Sequence, residues 1–143
     1  MSVEENKALF VDFVKSMNAG DWERVLEVWS PEMVHYGRSC AYTRDEVAQL
    51  MGMFRFAFPD LSFHVENVVA DGEMLSARMT ATCTHQGEFA GIPATGRAVK
   101  VQVMGQVRIV DGRIVEHWNV MDELHFLNQL GAVSDDLLNS ILA

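Results

Sequence analysis

The sequence has little positive charge. It contains 11 Lys and Arg residues against 20 Asp and Glu residues, which gives a formal net charge of -9 at pH 7. Binding to nucleic acid needs clustered basic side chains that neutralise phosphates, and anionic membrane surfaces attract the same groups. The basic residues are few and scattered, so we expect neither nucleic acid nor a membrane surface as a partner.

Cysteine and closely spaced histidine are also scarce. The two cysteines, Cys40 and Cys83, give no metal-binding spacing and no disulfide framework, and we interpret both as small buried or half-buried side chains. The five histidines show no His-x-x-x-His pattern of the kind that binds zinc. We therefore predict that the protein binds no metal.

Long apolar runs are absent. No stretch approaches the length of a membrane span, and the charged start 1–7 lacks the apolar segment of a secretory signal. Hydrophobic residues still make up 49% of the 143 residues, which is enough for a buried core. The sequence has no linker, repeat or low-complexity segment, so we expect one domain over residues 1–143. Because neither a membrane span nor a secretory signal is visible, we expect the protein to be located in the cytoplasm.

Three amphipathic segments in the first half predict helices. Ser2 with Glu5 and Thr43 with Glu46 form capping-box patterns before the first and third segments, and Asp21 can cap the second. Apolar residues then recur at helical spacing until glycine or proline interrupts each segment. We expect these helices to cover one face of the structure that the second half of the chain forms.

In the second half of the sequence, apolar residues recur at every second position. Alternating runs predict strands over 61–66, 74–85, 99–109 and 113–120. Asp71-Gly72 and Asp111-Gly112 indicate hairpin turns, and Asp122 and Ser134 can cap two short final helices. Helices followed by an antiparallel meander predict an α+β domain, a cone-shaped α+β barrel in which a curved antiparallel sheet wraps around the N-terminal helices. Its open end should be an apolar pocket.

Four segments resemble sequences of the SnoaL-like polyketide cyclase family. They are Phe58-Pro59-Asp60-Leu61, the loop 84–97 with its Gly91-Ile92-Pro93-Ala94-Thr95-Gly96, the strand pair 109–118 and the tail 127–131. The resemblance spans nearly the whole chain. It implies the cone-shaped fold of the nuclear-transport-factor-like superfamily, which ketosteroid isomerase and limonene-epoxide hydrolase share, but not one reaction, because this fold hosts several.

The catalytic pattern of that family is not kept. The resemblance places the general acid and base of the aldol-type cyclases, an Asp, at Asn119. It places a partner Gln at Val103, a partner His at Gly105 and a pocket Asn at His35. An amide cannot take a proton at neutral pH, so the aldol mechanism does not carry over.

His117 and Asn119 share one face of the last strand, and the resemblance implies that this face lines the pocket. As catalytic candidates, Asn119 would hydrogen-bond a substrate carbonyl, His117 would act as a donor or proton carrier, and His35 would supply the base. The alternatives are a hydrogen-bonded polar pair at the sheet rim and an ordinary strand-end histidine. The candidate substrate-binding residues are Trp29, Met33, Tyr42, Met51, Phe54, Met79, Val103, Gly105 and Met121.

We therefore predict a cyclase or isomerase without metal or organic cofactor that acts on a hydrophobic, polyketide-like intermediate in natural-product biosynthesis. Conjugate addition or cycloaddition suits a pocket without a carboxylate. The alternative is a non-catalytic small-molecule-binding protein with the same fold. The absence of the polar groups of the cyclases favours this alternative. The resemblance also implies a homodimer through the outer sheet face, which carries Lys100, Gln102, Met104, Gln106 and Arg108.

Overall fold

A computed structural model describes residues 2–142 of the protein. Within those residues the chain forms five helices and six strands, none of the helices being both long and apolar enough to cross a bilayer. In chain order they are α1 (Val3–Ala19), α2 (Trp22–Val28), β1 (Trp29–Tyr36), β2 (Ala41–Thr43), α3 (Arg44–Ala57), β3 (Ser62–Asp71), β4 (Met74–Thr84), β5 (Ala98–Val110), β6 (Arg113–Met121), α4 (Glu123–Gln129) and α5 (Asp135–Leu142).

The helices begin at the capping residues that the sequence indicates. The Ser2 hydroxyl accepts the Glu5 amide at 3.1 Å while the Glu5 carboxylate accepts the Ser2 amide at 2.6 Å, so the capping box is complete. The Thr43 hydroxyl accepts the Glu46 amide at 3.3 Å, and Asp122 caps α4. Local hydrogen bonding therefore fixes where α1, α3 and α4 start.

The six strands form one curved sheet in the order β2-β1-β6-β5-β4-β3. The predicted α+β fold, with the sheet wrapped around N-terminal helices, is confirmed. Two details add to the expectation of a curved antiparallel sheet. The sheet is open, with β2 and β3 at its edges, and β1 pairs with β6 in parallel. No hairpin turn constrains the direction of these two strands, because they lie far apart in the sequence.

The hairpin between β5 and β6 sets the register of the last strand. Asp111 and Gly112 have φ values of 50° and 75°, as a two-residue type I′ turn requires. One register change follows, at a β-bulge whose extra residue is Val115. The bulge allows Ile114 and His117, three positions apart, both to face the concave side of the sheet.

Asn18 joins the end of α1 to the edge strand β3. Its side-chain amide donates to the carbonyl oxygen of Phe63 at 2.8 Å and accepts from the Phe63 backbone amide at 2.8 Å. The side chain therefore replaces a neighbouring strand at this edge. As a result, Phe63 is held with its ring toward the concave side, where α1 and α3 pack.

The outer face of the sheet has an apolar centre. Met104 and Val120 are cross-strand partners and are 50% and 70% exposed. Next to them Tyr36 stacks on Trp118, with ring centroids 5.0 Å apart. A homodimer through this face stays a prediction.

The two cysteines differ in exposure. Cys83 is buried on β4, as expected, but Cys40 is exposed in the loop between β1 and β2. The prediction for Cys40 is wrong because residues 38–40 of this loop are all exposed to solvent. Neither cysteine is in a disulfide.

We expect Asn18→Ala to destabilise the protein by about 1–3 kcal/mol, because both backbone groups of Phe63 lose their partners in a half-buried position. Urea unfolding should measure this loss. Asn139→Ala, at an exposed position of α5, is the control and should change stability by less than about 0.5 kcal/mol. Equal stabilities for the two variants would contradict the proposed role of Asn18.

Candidate functional site

The concave side of the sheet and the helices enclose a cavity with two adjoining lobes. The outer lobe has a volume of about 270 Å³ and the inner lobe a volume of about 160 Å³. Five residues line both lobes and therefore form the junction between them: His35, Met51, Phe63, Val103 and Asn119. Most of the remaining lining is apolar, which suits a hydrophobic ligand with a few fixed polar contacts.

The outer lobe opens between the β1–β2 loop and the start of α4. Arg38 and Glu123 form an ion pair at this mouth, and both side chains are largely exposed. Phe54 and Phe126 line the interior of the lobe, together with the Cys83 thiol. Burial, with a smaller contribution from Asp60 nearby, raises the pKa of Cys83 to about 11. That thiol is protonated at pH 7 and is a poor nucleophile.

Two histidines contact each other at the junction. The parallel pairing of β1 and β6 places His35 opposite His117, with the two Nδ1 atoms 2.9 Å apart. A hydrogen bond between two Nδ1 atoms needs a proton on one and a lone pair on the other. Two neutral rings must therefore be opposite tautomers. The donor ring keeps a free lone pair on Nε2, and the acceptor ring carries its proton on Nε2.

Burial keeps this histidine pair neutral. It lowers the pKa of His35 below the ordinary value of 6.5. Burial first, and the neighbouring His35 second, lower the pKa of His117 to about 3. At pH 7 the pair therefore presents one basic Nε2 and one Nε2–H group to its surroundings.

Asn119 completes the polar part of the junction. It lies opposite Gly105 on β5, two positions after His117 on the same strand face. Its side chain is exposed and borders both lobes. The structure thus brings together the three residues predicted as catalytic, because His35, His117 and Asn119 all line the inner lobe. An amide there can donate to or accept from a polar group of a ligand.

Six of the predicted substrate-binding residues line the cavity: Trp29, Met51, Phe54, Met79, Val103 and Met121. The other three line neither lobe. Met33 is packed in the core with 2% of its surface exposed. The ring of Tyr42 lies beside His35, with centroids 6.3 Å apart. Gly105 has Met79 over it, 3.4 Å from where a Cβ would stand.

Sequence reasoning missed most of the helical side of the inner lobe. It consists of apolar side chains of α1 and α3 that the helical period marks only as core: Phe10, Phe13, Val14, Met17, Val47 and Leu50. No sequence signal distinguishes a core position that packs fully from one that borders a cavity. Within residues 2–142 no three His, Cys, Asp or Glu side chains come together in a way that could hold a metal ion.

Comparison with known proteins finds related sequences. A family model described as SnoaL-like polyketide cyclase matches residues 8–130. Aklanonic acid methyl ester cyclase DnrD of Streptomyces peucetius is 33% identical over 79 residues, which cover 54% of this chain and 54% of that protein. DauD of Streptomyces sp. strain C5, of the same description, is 33% identical over 79 residues and 48% of its length. The alignments therefore span about half the length of these relatives.

Solved structures are similar over more of the chain. AclR, a proposed hydroxylase from Streptomyces galilaeus, is 36% identical with a TM-score of 0.87 and covers 93% of this chain and 100% of its own. IdmH, a proposed polyketide cyclase from Streptomyces antibioticus, is 30% identical with a TM-score of 0.80 and covers 87% of this chain and 97% of its own. These similarities support the cone fold and the expectation of an enzyme.

The lowered pKa of His117 predicts a pH-dependent stability. The unfolded chain binds a proton on this histidine near pH 6.5, whereas the folded protein keeps it neutral down to about pH 3. The unfolded state binds more protons in that window. The free energy of unfolding should therefore fall as the pH drops below about 6.5, by up to about 1.4 kcal/mol per pH unit for this one proton.

Urea unfolding from about pH 6.5 to pH 5 measures this slope while the carboxylates of Glu5, Asp60 and Glu116, whose pKa values are lowered, stay ionised. We expect His117→Gln to have a smaller slope than the unmodified protein. His64→Gln, at an exposed position, is the matched control and should keep the original slope. An unchanged slope in His117→Gln would contradict the burial of a neutral His117.

Proposed function

Because the chain belongs to the SnoaL-like polyketide cyclase family, we propose that it is a cofactor-independent cyclase or isomerase of a hydrophobic, polyketide-like intermediate. The observation that carries this proposal is the neutral His35–His117 pair beside Asn119 in an otherwise apolar cavity. The relatives DnrD and DauD are named for a cyclisation, that of aklanonic acid methyl ester. Their activity supports ring formation as the reaction class.

His35 is the base in this proposal. Its Nε2 lone pair removes a proton from a carbon next to a substrate carbonyl, while its Nδ1–H donates to Nδ1 of His117. The pKa of His117 is about 3, so the proton gained by the pair resides on His35. His117 is then a positioning residue that holds the His35 tautomer and accepts a hydrogen bond from the imidazolium that forms.

Asn119 stabilises the charge that develops on the substrate. Removal of the proton gives an enolate, and the Asn119 amide N–H can donate to its oxygen at the junction of the lobes. The enolate carbon then forms a bond to an acceptor carbon of the same molecule, as in conjugate addition. His35 returns the proton to the carbanion that results, so the product has the same composition as the substrate.

A second candidate function is hydroxylation of the same kind of substrate. It is favoured by AclR, the proposed hydroxylase, which is 36% identical over 93% of this chain. The mass of the product separates the two reactions, because intramolecular cyclisation leaves the composition unchanged and hydroxylation adds one oxygen atom. Consumption of dioxygen during turnover would support the hydroxylase.

Proton abstraction by His35 can be measured without knowing the natural substrate. The probe is exchange of the α-protons of 2-tetralone, a hydrophobic ketone, into deuterated water. The exchange rate above that of buffer should rise with pH through the lowered pKa of His35, below 6.5, and stay level at higher pH. His35→Gln keeps size and hydrogen bonding but should lose about a hundredfold or more.

His125→Gln, at an exposed position of α4, is the control for that experiment and should exchange at the unmodified rate. If the exchange rate does not depend on pH and His35→Gln retains it within about tenfold, His35 does not act as the base. No exchange above buffer for any variant, together with tight binding of the ketone, would favour the non-catalytic binding protein.

We expect Asn119→Asp not to produce an aldol cyclase. The carboxylate would stand opposite Gly105 and beside Val103, which offer no hydrogen bonds to orient it. The assay is cyclisation of aklanonic acid methyl ester, the substrate in the names of DnrD and DauD. Efficient turnover by this single variant would show that the missing partners are not needed.

A further inference from the structure

We infer that the substrate carries an apolar group about the size of a six-membered ring beyond its reacting carbonyl, and that the inner lobe binds this group. The inference rests on the proposed function, because it takes His35 and Asn119 as the reacting position. Both residues lie at the junction of the lobes. A substrate that reacts there and enters from the mouth has part of its structure on each side of the junction.

The walls of the inner lobe determine the chemistry of what it binds. Four side chains of α1 line it, and all four are buried: Phe10, Phe13, Val14 and Met17. Trp29 and Met79, also buried, contribute apolar surface from β1 and β4. The polar side chains of the lobe are His35 and Asn119, which also line the outer lobe, and His117, which contacts His35. Among the other lining residues Trp29 has a buried indole N–H without a hydrogen-bond partner in the described part of the chain, which can serve one acceptor. Any further polar group deep in the lobe would lose its water without gaining a partner, which is costly.

The volume of the inner lobe sets the size of the group. A dry cavity of about 150 Å³ lined by Leu, Ile and Phe binds benzene in another protein. The inner lobe has a similar volume, about 160 Å³, and a lining that is apolar except for His35, His117 and Asn119. It therefore has room for one ring or a short alkyl chain, but not for a fused polycyclic system.

The two lobes differ in the charge of their lining. Arg38 and Glu123 are the charged residues that line the outer lobe, and their ion pair lies at its opening. Polar substituents of a ligand are solvated there by charged groups and water. The apolar end of the substrate is therefore the end that passes the junction.

Binding of two ketones that differ by one ring tests this inference. The probes are butanone and 4-phenylbutan-2-one, which carries a phenyl group beyond the carbonyl, and calorimetry gives Kd for each. We expect the phenyl ketone to bind at least about tenfold more tightly, from burial of the ring. Equal Kd values in the unmodified protein would overturn the inference.

Variants locate the ring in one lobe. Val14 and Leu50 line the inner lobe and not the outer one, so Val14→Phe and Leu50→Trp should each reduce the preference for the phenyl ketone at least about fivefold. Leu50 is 44% exposed, so Leu50→Trp keeps the test valid if Val14→Phe does not fold. Ala81 lines only the outer lobe, and Ala81→Val is the matched control that should retain the preference.

If both inner-lobe variants still prefer the phenyl ketone, the ring lies in the outer lobe and the inference is overturned. Loss of the preference in Ala81→Val would lead to the same conclusion. His35→Gln separates this result from the proposed function. That variant should keep the binding preference while it loses proton exchange. Failure of the binding test leaves the role of His35 untouched, and failure of the exchange test leaves the ligand preference of the inner lobe untouched.

Discussion

The parallel pairing of β1 with β6 is the constraint on which the candidate site depends. It places His35 directly opposite His117 and so brings two imidazoles within hydrogen-bonding distance. The β-bulge at Val115 adjusts the last strand so that His117 faces the concave side. Nothing local to either strand would produce this contact. The site is therefore a property of the sheet topology rather than of any one motif.

Burial changes what these two histidines can do. A carboxylate in the same cavity would have its charged form disfavoured, whereas a histidine has its neutral, basic form favoured by the same desolvation. The apolar lining therefore keeps His35 neutral and available as a base at neutral pH. The Nδ1 contact with His117 then limits His35 to one orientation. A ligand carbonyl at the junction would meet a fixed base and the amide of Asn119.

Local features were predictable from the sequence, and long-range contacts were not. The capping box of Ser2 with Glu5 and the turn at Asp111-Gly112 follow from side-chain hydrogen bonding and from φ preferences, and both occur as expected. Strand alternation put His117 and Asn119 on one face, which the cavity lining supports. The contact of His35 with His117 spans most of the chain and has no periodic signal. Periodicity also could not show that Met33 packs into the core while Trp29 on the same strand borders the inner lobe.

The central claim, that His35 and His117 are neutral rings of opposite tautomer joined through their Nδ1 atoms, can be tested directly by nitrogen-15 NMR of labelled histidine at pH 7. Assignment comes from the signals that disappear in His35→Gln and His117→Gln. We predict one ring with its proton on Nδ1 and the other with its proton on Nε2, coupled through the hydrogen bond between the Nδ1 atoms. Two rings that both carry the proton on Nε2, or a charged ring at pH 7, would contradict the claim.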